Sequence, residues 1–453
     1  MSQEEPTDPA ALGRGRLRAL LSYGREVYGL DAAFDAVKDS RHKPETEAGV
    51  IAALVFFCGL LRIRSLNALE PRLDEPAFGR LLGDSTGALC SVDTISRSLC
   101  RMDVPSAAKI SESIVAQAER NKVFREGWHG ALRYVALDGW EPFSSYSRHC
   151  PDCLVRQVRV KQQDGSVTEV PQYYHRYVVA MMVDRRFDLA LGIEPVRPNA
   201  KRPKGEAPGG EDEGELTAAI RLLRRVKRTF PWLDVVVADG LYPNGPFLTA
   251  VQELGMGAVV IVRKQTDEPL KEALAIWGSS APQEVIEIPK EHADGRQLHG
   301  KERISLWDCK GIETLDTYRG PIRVVRAQIQ NPEKPDDKHR TWIMAVTGRW
   351  PTARLTALKV LMVARSRWHI ENTGFHQWTT RWKFAHVFVH NGNALLALFN
   401  LFFAAYNLLT LFLYRQVRSY GRDRGKCPTR TISRFIDELV DDLARLALPQ
   451  DSS

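Results

Sequence analysis

The apolar residues of this chain change their period near residue 130. Before that point they recur every three or four positions, the spacing of helices that bury one side. LGRGRLRALLSYGREV sets Leu17, Leu20 and Leu21 on one face among arginines, and GVIAALVFFCGLLRIRSL is apolar all round, as a fully buried helix would be. SVDTISRSLCRM opens on the cap-forming residues Ser91 and Asp93 and carries Arg97 and Arg101. It reads either as the second helix of a DNA-reading pair or as an ordinary packed helix with solvated arginines.

Beyond residue 130 the apolar runs shorten to strand length. ALRYVALDGW, YYHRYVVAMMV and FDLALGIEPV predict three strands, with VDRRF as the tight turn between the last two. A polar loop, RPNAKRPKGEAPGGEDEG, leads into an amphipathic helix, ELTAAIRLLRRVKRTF, and then into the strand LDVVVADG. A short helix from Pro246 to Leu254 and a strand, GAVVIVRK, follow. Residues 265–350 are polar, with short strand candidates EVIEI, IRVVRAQI and TWIMAVT, and predict an inserted β-rich region; helices return after Pro351. The fold class is therefore α/β, a mixed sheet with flanking helices. Its expected segments are a helical region at 1–127, sheet and helices at 128–264, the insertion at 265–350, a second part of the core at 351–412 and a basic helical tail at 413–453.

Composition narrows the partners. At 453 residues with 44% hydrophobic content the chain can bury a large core, and its formal charge of +8 favours an acidic partner, nucleic acid before membrane. MSQEEPTDPA has neither a signal nor a transit pattern, which predicts a cytoplasmic protein. Ala394 to Tyr414 carries no charge and is long enough to cross a bilayer, but Asn400, Tyr406, Asn407 and Thr410 interrupt it. It predicts a helix buried inside the protein, with a single membrane anchor as the competing reading. Of the seven cysteines, Cys58, Cys90, Cys100, Cys309 and Cys427 read as reduced thiols.

Two strand ends carry unexpected acids. VALDG and VVADG place Asp138 and Asp239 in matching positions, so that neighbouring strands would bring both carboxylates to one sheet edge, where open α/β sheets put their sites. Two such anions repel unless a cation lies between them. Asp-Gly is also a common turn pair, and for either position alone a turn explains it. RSRWHIENTGFHQW offers a third acid, Glu371, on a helical pattern in which Arg367 lies four residues earlier, with Trp368, Ile370 and Phe375 available for packing.

The set LDG at Asp138, ADGLY at Asp239 and RSRWHIEN at Glu371, with a β-rich insertion between the last two, resembles the DDE transposases of bacterial insertion sequences. The resemblance covers roughly residues 130–410 and implies an RNase H-like core. It also implies Asp138, Asp239 and Glu371 as catalytic, metal-binding carboxylates holding two Mg²⁺ or Mn²⁺ ions for strand cleavage at element ends and strand transfer into target DNA. Double-stranded DNA as partner and a homodimer on that DNA follow from the family as well. Related elements often carry Tyr-x2-Arg-x3-Glu-x6-Lys around the glutamate; here Arg367 and Glu371 fit, while Ala364 stands at the tyrosine position and Trp378 at the lysine position. Arg367 is then expected to hold the phosphate backbone, Arg381 or Lys383 to supply the missing charge, and Trp378 or Trp382 to stack on an unpaired base. The competing functions are a nuclease using the same acids, a transposase-derived DNA-binding protein without catalysis, and a membrane-anchored protein.

RHCPDCLVR raises a separate question. Cys150 and Cys153 form half of a zinc site, and a closed tetrahedron would need both His149 and His175. With no second Cys-x2-Cys in the chain, the favoured reading is a pair of thiols steadying a tight turn, and zinc is the alternative.

Overall fold

The computed structural model describes residues 16–82, 90–124, 132–161, 165–183, 187–199, 212–262, 268–291, 297–315, 317–334, 338–348, 355–384, 388–416 and 429–446. The turn expected at VDRRF, most of the loop before ELTAAIRLLRRVKRTF, and Cys427 lie outside the described residues. The remaining cysteines are free thiols.

Among the described residues, seven helices precede the sheet: α1 (Arg16–Tyr28), α2 (Leu30–Asp35), α3 (Ala48–Leu60), α4 (Leu66–Leu73), α5 (Pro76–Leu81), α6 (Val92–Arg101) and α7 (Val104–Arg120). Ser91 caps α6 by accepting from the Thr94 amide at 3.3 Å, and Asp103 caps α7 by accepting from the Ser106 amide at 3.0 Å. Asp93 lies inside the first turn of α6, where its charge complements the helix dipole.

These helices share a core with residues much later in the chain. The long apolar stretch forms a helix, Gly392–Gln416, that packs against α3, α6, α7 and the sheet. Asn407, one of its interrupting polar residues, is fully buried. It donates to Ser111 Oγ at 2.9 Å and to Ala190 O at 2.8 Å, and accepts from the Ala190 amide at 2.9 Å. Satisfied this way, the amide fixes the helix against both α7 and the sheet. The helix is long and apolar enough to cross a membrane, but 89% of its most apolar window is buried within the protein, as a core helix requires. A last helix, Thr429–Leu446, returns to α1, where Asp442 accepts from the Leu17 amide at 3.1 Å and Glu438 pairs with Arg16.

The sheet has nine strands. Its first five are β1 (Tyr134–Trp140), β5 (Tyr177–Val183), β6 (Asp188–Pro195), β7 (Val235–Ala238) and β8 (Gly257–Ile261), in the order β6-β5-β1-β7-β8. β1 and β6 run antiparallel to β5, while β1, β7 and β8 are parallel to one another. That is the RNase H-like arrangement expected. YVVAMMV in β5 and VVVA in β7 are buried throughout, because helices cover the sheet and leave no polar face. Helices α8 (Glu215–Thr229), α9 (Gly245–Glu253) and α10 (Glu268–Trp277) follow β6, β7 and β8 respectively.

The β-rich stretch contains β9 (Glu284–Glu291), β10 (Gln297–Ile312), β11 (Ile322–Gln330) and β12 (Arg340–Thr347). β12 pairs antiparallel with β8, and β11, β10 and β9 follow in order. The region thus prolongs the sheet itself and covers the edge that β8 would otherwise expose.

Two strands escaped the hydrophobic pattern. LVRQVRVK and VTEVPQYY form β3 (Leu154–Lys161) and β4 (Val167–Tyr174), which join β2 (Ser144–Ser145) in a small separate sheet. In each strand one face is largely half-buried and the other largely exposed, and the few valines among charged residues make a weak apolar signal. YYHRYVVAMMV, expected as one strand, is divided: Tyr174 ends β4 and Tyr177 begins β5, with His175 between them.

Candidate active site

Register brings the two aspartates together. β1 and β7 are parallel with Ala136 opposite Val237, and two residues further in the same register Asp138 falls opposite Asp239. Adjacent strands lie about 4.8 Å apart, so both carboxylates leave the same face of the sheet side by side. Their local settings differ. Asp138 lies inside β1, which continues to Trp140 opposite Tyr177 of β5. Asp239 lies just past the end of β7, and its Oδ1 accepts from the Leu241 amide at 2.9 Å, so its turn-forming role coexists with its place at the edge.

Gly139 makes no turn; it makes room. A Cβ on it would lie 2.4 Å from Glu215 Oε2 at the start of α8. Glu215 in turn accepts from the Tyr242 hydroxyl at 2.9 Å and pairs with Arg176, which braces β1, α8 and the turn after Asp239 against each other.

Glu371 arrives from a different element. Helix α11 (Ala357–Ser366), capped by Thr356, ends at Arg367, and a π-helical turn over Ile370–Phe375 follows before α12 (His376–Thr380). The Arg367 guanidinium lies between two of the acids, with Nη1 2.7 Å from Asp138 Oδ2 and Nη2 2.7 Å from Glu371 Oε1. Its side chain is 2% exposed, whereas that of Glu371 is 42% exposed and faces the solvent side of the edge. His369 is buried beside it, with Nδ1 3.1 Å from Asp188 Oδ1 at the start of β6. That contact anchors the Arg367–Glu371 turn to the sheet.

Electrostatics at this edge are unbalanced. Burial pushes the Asp138 carboxyl up to about 7, opposed by the Arg367 charge and reinforced by Glu371 and Asp239. The donor set of the three acids is entirely hard oxygen, the chemistry that suits Mg²⁺ or Mn²⁺.

Several expected nucleic-acid contacts are placed otherwise. Arg367 is internal and committed to two carboxylates, so it is not a free phosphate contact. Trp378 is 0% exposed, with its ring centroid 5.6 Å from that of Trp140 and 4.6 Å from that of Phe403, and Trp382 is buried against Phe384 and Tyr406. Neither can stack on a base in this arrangement. Trp368, expected to pack, is instead 43% exposed beside Arg367, and Leu241 is 48% exposed beyond Asp239. The π-helical turn lies between Trp368 and Trp378 and shifts the helical phase from one to the other. Arg381 and Lys383 are half-buried, with Lys383 at φ 61° where the chain turns back to bury Phe384. Arg97 and Arg101 project from the exposed face of α6, opposite the buried Ile95, Ser98 and Leu99.

Cys150 and Cys153 do gather ligands, though not the pair of histidines expected. Their sulfurs lie with His175 and His390 in a group whose ligand atoms are all within 4.8 Å of one another. His149 is outside it, stacked on Tyr173 with ring centroids 4.8 Å apart. His390 was missed because it lies 237 residues from Cys153, just ahead of the helix Gly392–Gln416, where only the fold could bring it into reach.

With this geometry in place, comparison with known families is informative: residues 207–408 match the family model described as the transposase DDE domain. Over that stretch the chain is similar to the transposase DDE domain. The matched stretch includes Asp239 and Glu371 and begins after Asp138. No curated protein matches the chain. The mixed sheet with its five-strand order is consistent with the RNase H-like fold of such transposases.

Proposed function

We propose that this chain is a transposase that cleaves DNA at the ends of its element and transfers the released strands into target DNA, with Asp138, Asp239 and Glu371 as the catalytic carboxylates. The observation that carries the proposal is the shared register of Asp138 and Asp239, with Arg367 linking Asp138 to Glu371. The three acids would hold two divalent ions, Mg²⁺ or Mn²⁺. When bound, such ions lower the pKa of an attacking water or 3′-hydroxyl and neutralise charge on the phosphate.

The protein's own groups do the positioning. Arg367 keeps Asp138 and Glu371 aligned while shielding part of their repulsion, and His369 with Asp188 holds the turn that presents Glu371. Glu215 and Tyr242 fix the backbone beneath both aspartates. The exposed Trp368 offers a stacking face for an unpaired base next to the acids, taking the part first expected of Trp378. Arg97 and Arg101 supply phosphate contacts from α6, in keeping with end recognition by the N-terminal helices, a cytoplasmic location and action as a dimer on double-stranded DNA.

The test is Asp239→Asn assayed on end DNA with Mg²⁺. Cleavage should fall on the order of 10³-fold while DNA binding stays near wild type, the signature of a lost catalytic group rather than a lost surface. Cleavage at the wild-type rate would remove Asp239 from the mechanism.

A further inference from the structure

The Cys150, Cys153, His175 and His390 cluster lies outside the carboxylate edge and has no part in the proposed cleavage. Its distances are informative. The two sulfurs are 3.8 Å apart; His175 Nε2 is 3.4 Å from each sulfur, and His390 Nε2 is 3.2 Å from Cys153 Sγ. A tetrahedron with metal–sulfur bonds of about 2.3 Å and metal–nitrogen bonds of about 2.0 Å has edges of roughly 3.8 Å between sulfurs and 3.5 Å between sulfur and nitrogen. Four of the six donor–donor distances are close to those edges and all lie within 4.8 Å, and the donors are two thiols and two imidazoles without an acidic oxygen among them.

The surroundings are those of a closed site. Cys153 and His175 are buried, with Cys150 and His390 half-buried. The Cys150 amide donates to Cys153 Sγ at 3.3 Å and the Cys153 amide to Cys150 O at 3.1 Å, which folds the Cys-x2-Cys turn so that both sulfurs face inward. Phe143 lies against both imidazoles, with ring centroids 5.9 Å from His175 and 5.8 Å from His390, and supplies an apolar cover.

We infer that these four residues bind one structural Zn²⁺ ion. The ion would join three parts of the chain: the turn between β2 and β3, the link between β4 and β5, and the segment entering the helix Gly392–Gln416. Binding replaces the two thiol protons, which pass to solvent, with a neutral complex of two thiolates and one dication. Asp152 on the same turn packs so closely on the start of that helix that a Cβ on Gly392 would meet its Oδ2 at 2.4 Å, so the metal would fasten a junction whose backbone already fits. With four protein ligands the site has no open position and takes no substrate.

Metal analysis of the full-length protein, purified without added metal and again after zinc reconstitution, tests this independently of DNA cleavage. The expected result is about one zinc per chain. Cys150→Ser and His390→Ala should each lose most of it, while His149→Ala and His390→Cys should keep it, the latter because four soft donors remain. Should the loss variants not fold, titrating the wild-type thiols with a mercurial and reading zinc release with a chromophoric chelator gives the same answer. Zinc absent from the reconstituted wild type, or retained in both Cys150→Ser and His390→Ala, would overturn the assignment.

Discussion

The carboxylate edge and the Cys/His cluster are both collections of side chains of metal-ligating type at the same end of the sheet, yet the protein arranges them in opposite ways. At the cluster, four donors have converged to ligand spacing and the surrounding backbone holds them there. At the edge, an arginine stands between two of the acids and the third belongs to a turn, so the charges are arrayed without being closed around a point. Closure suits an ion that is meant to stay; an open, partly neutralised array suits ions that arrive with a phosphate and must leave room for it.

What separates the two regions is an aromatic wall. Trp140, two residues beyond Asp138, stacks on Phe375 and packs against Trp378 and Phe399, and Phe399 contacts Tyr177, which stacks on His175. Removing its centre should therefore damage both regions at once. Trp378→Ala is expected to cost about 3 to 5 kcal/mol, measured by denaturant unfolding, because the site is fully buried and ringed by large side chains. A loss below about 1 kcal/mol would mean that the wall repacks and the regions are not mechanically linked through it.

A smaller effect separates the regions. Arg367→Gln strips the counter-charge from Asp138 and Glu371 and should destabilise the protein by about 3 kcal/mol, the low end for a broken buried pair because Glu371 is partly solvated. Adding Mg²⁺ should then raise the melting temperature of this variant more than that of the wild type, with the zinc content unchanged. Equal responses to Mg²⁺ would argue that the guanidinium does not stand in for a cation. The smallest effect on stability belongs to Trp368→Ala, within about 0.5 kcal/mol for a side chain this exposed, yet single-stranded DNA should bind more weakly in a fluorescence anisotropy titration. Unchanged affinity would leave the stacking face without a role.

How far the sequence led depends on whether a feature is local or assembled. The buried strands VVVA and YVVAMMV and the helix over 215–229 follow from apolar runs and periodicity alone, and the pairing of Asp138 with Asp239 follows once two such strands are neighbours. Polarity concealed β3 and β4, whose few half-buried valines alternate with charged residues over too short a run to stand out. Trp378 was expected to meet DNA because it stands at the family's lysine position, yet it is buried, and the exposed tryptophan near the acids is Trp368, on the other side of a π-helical turn. His390 and Asp188 were out of reach for another reason: each acts on a residue far away in the chain, and no local pattern encodes such a partner.

Those long separations also bear on when the site is assembled as the chain is synthesised. Arg367 follows Asp138 by 229 residues, and His390 follows Cys153 by 237. The N-terminal helices leave the ribosome well before the helix Gly392–Gln416 that fills their core. A nascent chain therefore carries its first two aspartates exposed, without the arginine that aligns them, the third acid or the scaffold behind them. The carboxylate edge is complete only once residue 371 has been made, so a product terminated before it lacks the third acid and the arginine beside it.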